Sequence, residues 1–177
     1  ADGTISILIS NGDGSFASPV IRTSGVDPRV VRLGHFDNNQ SLDIAVVNNG
    51  SNDVSLFFND GFGQFAEALS VSVGEDLVNL RTIAVADVNG DGLDDLAIGG
   101  DPTPVALLTN QGGGNFTSSL LVQDGTTPSS LLFTDFDGDG RLDLLAGMTR
   151  PTTSFAVFVG RDGGEFNAGS LFDLAST

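Results

Sequence analysis

The 177-residue chain has no cysteine, lysine, tryptophan or tyrosine, and it has one histidine, His35. Without cysteine it cannot form a disulfide bond, a thiolate metal site or a cysteine nucleophile. Without lysine and tyrosine, the side chains available for acid–base or nucleophilic catalysis reduce to Asp, Glu, Ser, Thr and His35. We therefore expect a protein that is not an enzyme and has no catalytic residues. A carboxylate pair for glycoside hydrolysis stays open, since aspartates are numerous.

Positive charge is also scarce. All seven basic residues are arginines, and the formal net charge is −16. Such a surface repels nucleic acid phosphates and anionic lipids, and no apolar run approaches the length of a membrane span. We therefore expect no nucleic acid partner and no membrane insertion. The acidic surface serves either solubility or the steering of cationic partners. The N-terminus carries no signal segment, so we expect a processed secreted chain or a piece of a longer one.

The segment 135–143 is the most informative motif. It reads Asp-Phe-Asp-Gly-Asp-Gly-Arg-Leu-Asp, with carboxylates at positions one, three, five and nine and a glycine at position six. A hard cation such as Ca²⁺ takes six to eight oxygen ligands, and acids this close would repel one another without one. Apolar, strand-like residues flank the segment on both sides. It is therefore predicted to be a metal loop that joins two β-strands.

The acidic motif occurs two more times. Residues 87–95 match it at every key position, with Asn89 as the oxygen-bearing side chain at position three, whereas residues 35–43 are a weaker copy with His35 at position one, Asn39 at five and Gln40 at six. An EF-hand needs a glutamate at position twelve, where the two stronger copies have Ile98 and Ala146. That difference, together with the strand context, rejects an EF-hand.

A second motif interleaves with the first. Short runs rich in glycine and asparagine end in a phenylalanine that recurs about every fifty residues, at Phe16, Phe65, Phe116 and Phe166. Such runs are typical of hairpin turns, because the turn requires positive φ angles. No stretch shows a capped helical periodicity. The chain is therefore predicted to be all-β, with four-stranded antiparallel repeats.

Fourteen strands are predicted. Three complete units contribute twelve of them, and an N-terminal half unit contributes two, at 5–10 and 17–22. The strands of the complete units are 30–36, 42–47, 54–58 and 66–72; 82–88, 95–98, 105–108 and 117–122; and 130–136, 142–147, 155–159 and 166–172.

These motifs resemble the FG-GAP or VCBS repeats of the integrin α-subunit and of many bacterial surface proteins. The resemblance covers essentially the whole chain and implies a β-propeller whose blades are the four-stranded units. The implied divisions are a half blade at 1–26 and three blades at 27–76, 77–126 and 127–177. Three and a half blades do not close a ring. We therefore expect a second copy, or the rest of a parent chain, to complete it.

The resemblance also implies a ligand set for Ca²⁺: the side chains of positions one, three, five and nine and the carbonyl of position seven. In this chain one site comprises Asp87, Asn89, Asp91, Leu93 and Asp95. The other comprises Asp135, Asp137, Asp139, Arg141 and Asp143. The copy with His35 keeps Asp37, Asn39 and Asp43 and is expected to bind weakly or not at all, because imidazole is a poor ligand for Ca²⁺.

The function expected from the resemblance is adhesion or recognition outside the cell by a calcium-binding propeller, with a protein or glycan ligand. Two alternatives remain open: a calcium-dependent lectin, and an accessory domain of a larger secreted enzyme. Sugar sites commonly use aromatic faces with polar tips, and this chain offers only phenylalanine, mostly at framework or strand positions.

Overall fold

A computed structural model describes residues 3–101, 105–121, 127–149 and 154–173. Within these ranges no helix has the length and apolar character needed to cross a membrane. The described residues form strands β1 Thr4–Ile7, β2 Val20–Thr23, β3 Pro28–Gly34, β4 Asp43–Asn48, β5 Asp53–Phe57, β6 Leu69–Ser72, β7 Thr82–Ala86, β8 Asp95–Gly99, β9 Val105–Asn110, β10 Phe116–Leu121, β11 Pro128–Thr134, β12 Asp143–Met148, β13 Ser154–Phe158 and β14 Ser170–Asp173.

The fourteen strands form four separate antiparallel sheets. We call β1–β2 the N-terminal sheet, β3–β6 the first sheet, β7–β10 the second sheet and β11–β14 the third sheet. In each sheet, strands that follow one another in the chain are hydrogen-bonded neighbours. The all-β prediction is confirmed, and the units of two and four strands fall where the repeats predict them.

The two middle strands of each four-stranded sheet are the most buried. Every residue of β4 and of β8 is buried, whereas the outer strands β6 and β10 are mostly exposed. This agrees with the sequence, because the middle strands are nearly continuous apolar runs, which is typical of strands covered on both faces.

The strand ends differ from the prediction in a regular way. Three of the four fourth strands begin three or four residues late: β2 at Val20 instead of 17, β6 at Leu69 instead of 66, and β14 at Ser170 instead of 166. The other, β10, begins at Phe116, one residue before the predicted start. In the three units with late starts the closing phenylalanine forms an isolated bridge to the residue before the turn, and the chain then leaves the ladder before pairing again. In the N-terminal sheet, Pro19 precedes β2 and has no backbone N–H to donate. The predicted end of β10 at 122 lies outside the described residues.

The sheets pack face to face in chain order. One apolar cluster lies between the first and second sheets and contains Val54, Leu56, Ile83 and Leu96. A second cluster joins the second and third sheets, and a third, smaller one joins Ile5 and Ile7 of the N-terminal sheet to the first sheet. The strands that begin each four-stranded sheet lie side by side, with β3 against β7 and β7 against β11.

Gly34, at the end of β3, allows two sheets to approach closely. A β-carbon there would lie 2.7 Å from the ring of Phe36, 2.8 Å from Val85 Cγ1 and 3.0 Å from Asp94 Oδ2. Val85 and Asp94 belong to the second sheet and its loop. A larger side chain at Gly34 would therefore push the first and second sheets apart.

The far face of the third sheet has no covering sheet within the described residues. Leu132 and Phe172 are exposed on it, and the Phe155 and Phe172 rings stack with centroids 4.9 Å apart. Phe155 pairs with Phe172 as Val54 pairs with Val71 in the first sheet. In the first sheet these two valines are buried against the second sheet. The far face of the third sheet is therefore equivalent to a face that a neighbouring sheet covers in the first sheet.

Two leucines of the third sheet give a test of this packing. Leu144 is 0% exposed in the cluster between the second and third sheets, whereas Leu132 is 58% exposed on the far face. Leu144→Ala should lower the free energy of unfolding by about 2–5 kcal/mol through lost burial and a residual cavity. The matched variant Leu132→Ala should change it by less than about 0.5 kcal/mol. Urea denaturation measures both, and equal losses would contradict the sheet order.

Candidate metal centre

Three acidic loops join the first and second strands of the three four-stranded sheets, so they lie at the same end of their sheets. We call residues 35–43 the first loop, residues 87–95 the second loop and residues 135–143 the third loop, and we count positions from the first residue of each.

The aspartate at position nine has the same surroundings in all three loops. Its side chain is fully buried, and each carboxylate oxygen accepts a hydrogen bond from a backbone N–H. Oδ2 accepts from position two of the loop, at 2.9–3.0 Å, and Oδ1 accepts from the residue that opens the glycine turn, at 2.8 Å. The position-nine aspartates are Asp43, Asp95 and Asp143; the donors at position two are Phe36, Val88 and Phe136; and the donors at the turns are Asn59, Asn110 and Gly160.

The two repeated sequence motifs are therefore joined physically. One carboxylate fixes both the acidic loop and the glycine turn of its sheet. Sequence reasoning assigned position nine only to metal binding and missed the donors at the turn. The signal was present, since each donor follows its aspartate by 15 to 17 residues.

The third loop brings acidic side chains together. Oxygens of Asp135, Asp137 and Asp143 lie within 4.8 Å of one another. The loop backbone wraps around Asp135, whose Oδ1 accepts hydrogen bonds from Gly138 N at 2.7 Å and Asp139 N at 3.1 Å. Gly138 and Gly140 adopt φ angles of 82° and 87°, which glycine tolerates without strain.

The fourth predicted side-chain ligand of the third loop is directed elsewhere. The Asp139 carboxylate forms an ion pair with the guanidinium of Arg141, which also lies 3.4 Å from Asp162. Three of the four predicted acids thus meet, and Asp139 does not join them. Within the described ranges, Asp135, Asp137 and Asp143 are the one group of three acidic residues whose side-chain oxygens all lie within 4.8 Å of one another.

The second loop has the same backbone form. Asp87 accepts hydrogen bonds from Gly90, Asp91 and Gly92 at 2.7, 3.2 and 2.9 Å. Asn89 Nδ2 donates to Asp91 Oδ2 at 3.0 Å, so these two predicted ligands lie side by side. Leu93 donates its backbone N–H to Asp91 Oδ1 at 2.8 Å, and its side chain is buried. The donor set of this loop is three carboxylates, one amide and one carbonyl.

The first loop is closed by side-chain donors. His35 Nδ1 lies 3.2 Å from the carbonyl oxygen of Ser41, at position seven. Asn39 Nδ2 donates to Asp37 Oδ2 at 3.0 Å and to the carbonyl of Asn59 at 2.7 Å. Gln40 adopts the positive φ, 62°, that glycine provides at position six of the other loops.

Asp94, at position eight of the second loop, links the first two loops and was missed in the sequence. Its Oδ2 accepts the backbone N–H of His35 at 2.7 Å, and its own N–H donates to the carbonyl of His35 at 2.8 Å. The buried Asn110 adds hydrogen bonds from Nδ2 to the carbonyls of Phe36 and Asp94. The other loops have a leucine at position eight, which is the one sequence signal that sets Asp94 apart.

Burial changes the acidity of two position-nine aspartates. It raises the pKa of Asp95 to about 6 against the opposing effect of its two backbone hydrogen bonds, and it also raises the pKa of Asp43. Asp91 and Asp87 add repulsion at Asp95. The ionised form of Asp95 is therefore unfavourable unless a cation in the second loop offsets the negative charge.

Comparison with known families agrees with these motifs. A profile described as FG-GAP-like repeat matches residues 35–98 and again residues 87–146. Each match begins at position one of an acidic loop and runs through the following loop. Since the two matches together cover more than half of the chain, the protein belongs to the FG-GAP-like repeat family. No curated protein matches the chain.

The raised pKa of Asp95 predicts a pH dependence without metal. Between the ordinary aspartate value of 3.8 and about 6, folded Asp95 holds a proton that the unfolded chain has released. The stability that this proton contributes is complete below pH 3.8 and is lost as the pH rises through about 6. In excess chelator, the melting temperature should therefore fall over this interval.

The Asp95→Asn variant is the control for this prediction. It cannot titrate, so its melting temperature should fall less over the same interval, although its absolute value will be lower because an amide cannot accept both backbone N–H groups. A wild-type melting temperature that rises over the interval in chelator would contradict the assignment to Asp95.

Proposed function

We propose that this protein is a calcium-bound, non-catalytic β-propeller module that recognises a protein partner outside the cell, with a calcium-dependent lectin as the alternative. The observation that carries the proposal is the convergence of Asp135, Asp137 and Asp143 in the third loop. Membership of the FG-GAP-like repeat family supports it, because the three four-stranded sheets would serve as the blades of such a propeller.

The donor chemistry of the third loop fits Ca²⁺. Carboxylate oxygens are the ligands that a hard cation takes, and three of them already converge. Asp139 and the carbonyl of Arg141 would complete the set once the Asp139 carboxylate turns from the Arg141 side chain. A divalent ion there would relieve the mutual repulsion of the carboxylates and hold the loop closed between β11 and β12.

The second loop would hold a second ion through the side chains of Asp87, Asn89, Asp91 and Asp95 and the carbonyl of Leu93. The raised pKa of Asp95 supports this assignment, because a nearby cation favours the ionised form that burial disfavours. The ions would act as structural links within each repeat.

Partner recognition would then use the opposite end of the sheets. A cleft of about 520 Å³ lies there between the first and second sheets, lined by Arg29, Asn49, Asn79 and Arg81. Two of the seven arginines of a strongly acidic chain thus face one cleft. Exposed polar loops on a rigid scaffold are typical of recognition surfaces.

The uncovered sheet faces favour completion of the propeller by further sheets. The far face of the third sheet exposes Leu132 and Phe172, and β3 exposes Val31 and Leu33 beside the two-stranded N-terminal sheet. Apolar faces of this kind mark sites of association. We propose that a second copy, or additional repeats of a parent chain, cover them.

Two aspartates of the third loop separate metal binding from structural support. Asp137 is exposed, and its carboxylate accepts the Asp139 N–H within the loop, whereas Asp143 is buried and bonds two backbone amides. Asp137→Ala should leave the melting temperature in chelator nearly unchanged and should reduce the rise that Ca²⁺ produces. Asp143→Ala should lower the melting temperature even in chelator, because it leaves two backbone N–H groups without partners.

Differential scanning calorimetry with excess chelator and with Ca²⁺ measures both effects. A wild-type melting temperature that Ca²⁺ does not raise would contradict the metal assignment. Equal losses in chelator for the two variants would contradict the division of roles.

A glycan array, probed with and without Ca²⁺, tests the kind of partner. We expect no sugar to bind, since the proposed recognition surface lacks aromatic residues. Calcium-dependent binding to a sugar would instead establish the lectin alternative. If a sugar binds through the arginine cleft, Arg81→Gln should abolish that binding.

A further inference from the structure

The first loop shares the positive φ at position six with the other two loops but not the one at position four, and it has a different set of groups at its centre. In the third loop the position-one residue is Asp135, whose carboxylate accepts three backbone N–H groups at 2.7–3.1 Å. In the first loop the position-one residue is His35, whose Nδ1 lies 3.2 Å from the carbonyl oxygen of Ser41. A carbonyl oxygen only accepts hydrogen bonds, so this contact requires a proton on Nδ1.

The Ser41 carbonyl is equivalent to the carbonyl that would bind the metal in the other two loops. Position seven contributes its carbonyl oxygen to the cation in the ligand set implied for the other loops, and Ser41 occupies position seven here. An imidazole N–H therefore lies where a cation would otherwise attract the oxygen.

Asn39 replaces the cation at a second point. It stands at position five, where the other loops have aspartate, and its Nδ2 donates to the Asp37 carboxylate at 3.0 Å and to the Asn59 carbonyl at 2.7 Å. Its Oδ1 accepts the Ser41 N–H at 2.7 Å. One amide side chain thus joins position three, position seven and the glycine turn.

The remaining carboxylates of the first loop already have partners. Asp37 accepts from the N–H and the side chain of Asn39, at 2.9 and 3.0 Å. Asp43 accepts from Phe36 N and Asn59 N, at 3.0 and 2.8 Å. Both carboxylates are thus satisfied by neutral donors, and only two negative charges remain where the third loop has four.

We infer that the first loop is a metal-independent copy of the calcium loop, in which the Nδ1–H of His35 and the amide of Asn39 take the place of the ion. The donor set does not fit Ca²⁺: its position-one group is a nitrogen base that donates to the carbonyl oxygen a cation would need. The first loop is also held by the second loop, where Asp94 accepts the His35 N–H at 2.7 Å.

The inference rests in part on the proposed function, because it contrasts the first loop with two loops for which calcium binding is proposed. It also makes a claim that needs no metal, namely the tautomer of His35. The first measurement is therefore long-range ¹H–¹⁵N NMR of the imidazole, in chelator, at a pH of about 9, where histidine side chains are neutral. His35 is the only histidine, so its ring nitrogens are identified without assignment.

We expect the Nδ1–H tautomer, unchanged by saturating Ca²⁺. The Nε2–H tautomer would overturn the inference, since Nδ1 could not then donate to Ser41. If the wild type binds no calcium at all while Nδ1 carries the proton, the proposed function fails and the structure of the first loop stands.

The second measurement is the number of Ca²⁺ ions bound, determined by isothermal titration calorimetry. The triple variant His35→Asp, Asn39→Asp, Gln40→Gly restores the family pattern at positions one, five and six. It should bind one ion more than the wild type. The matched triple variant His35→Asn, Asn39→Asp, Gln40→Gly keeps a neutral residue at position one and should gain less affinity.

Two outcomes would overturn the metal part of the inference. One is a wild-type calcium site that disappears in Asp37→Ala. The other is a triple variant with a cooperative thermal transition that gains no ion. If the triple variant does not fold, the tautomer and the effect of Asp37→Ala on the wild-type stoichiometry still decide between the alternatives.

Discussion

Each four-stranded sheet depends on one buried carboxylate that accepts two backbone hydrogen bonds. Asp43, Asp95 and Asp143 are fully buried at the start of the second strand, and each joins its acidic loop to the glycine turn before the fourth strand. Removing such a carboxylate would leave two backbone N–H groups without partners, one buried and one half-buried, which costs more than the bonds contribute. The spacing of the two repeated motifs follows from this contact, because the aspartate and the turn must meet across the end of the sheet.

The same carboxylate explains why a cation suits these loops. A buried negative charge is unfavourable, and burial raises the pKa of Asp95 to about 6 even with two backbone donors. A divalent ion beside the loop would offset that charge and the charges of its neighbours. In the first loop an imidazole and an amide supply hydrogen-bond donors instead, so this loop is closed without an ion.

Much of the fold could be predicted from the sequence because the repeat imposes it. The apolar runs of β4, β8 and β12 and the recurring phenylalanines determine sheet number and strand order. The late starts of β2, β6 and β14 could not be predicted, since they depend on how the chain leaves the ladder after an isolated bridge. Propeller closure also lies beyond the repeat pattern, because it depends on what covers the third sheet.

The site was predicted in part. The acidic spacing identified Asp135, Asp137 and Asp143, which converge, but not the ion pair between Asp139 and Arg141, which arises from side-chain directions. The substitution at His35 suggested a weak site, whereas its donor role and the contact with Asp94 required coordinates. The most direct measurement is a crystal structure from calcium-containing solution, with anomalous scattering used to locate the ions. It should show one ion among Asp135, Asp137 and Asp143, one in the second loop and none beside His35. A third loop without an ion at saturating calcium, or an ion coordinated in the first loop, would contradict these conclusions.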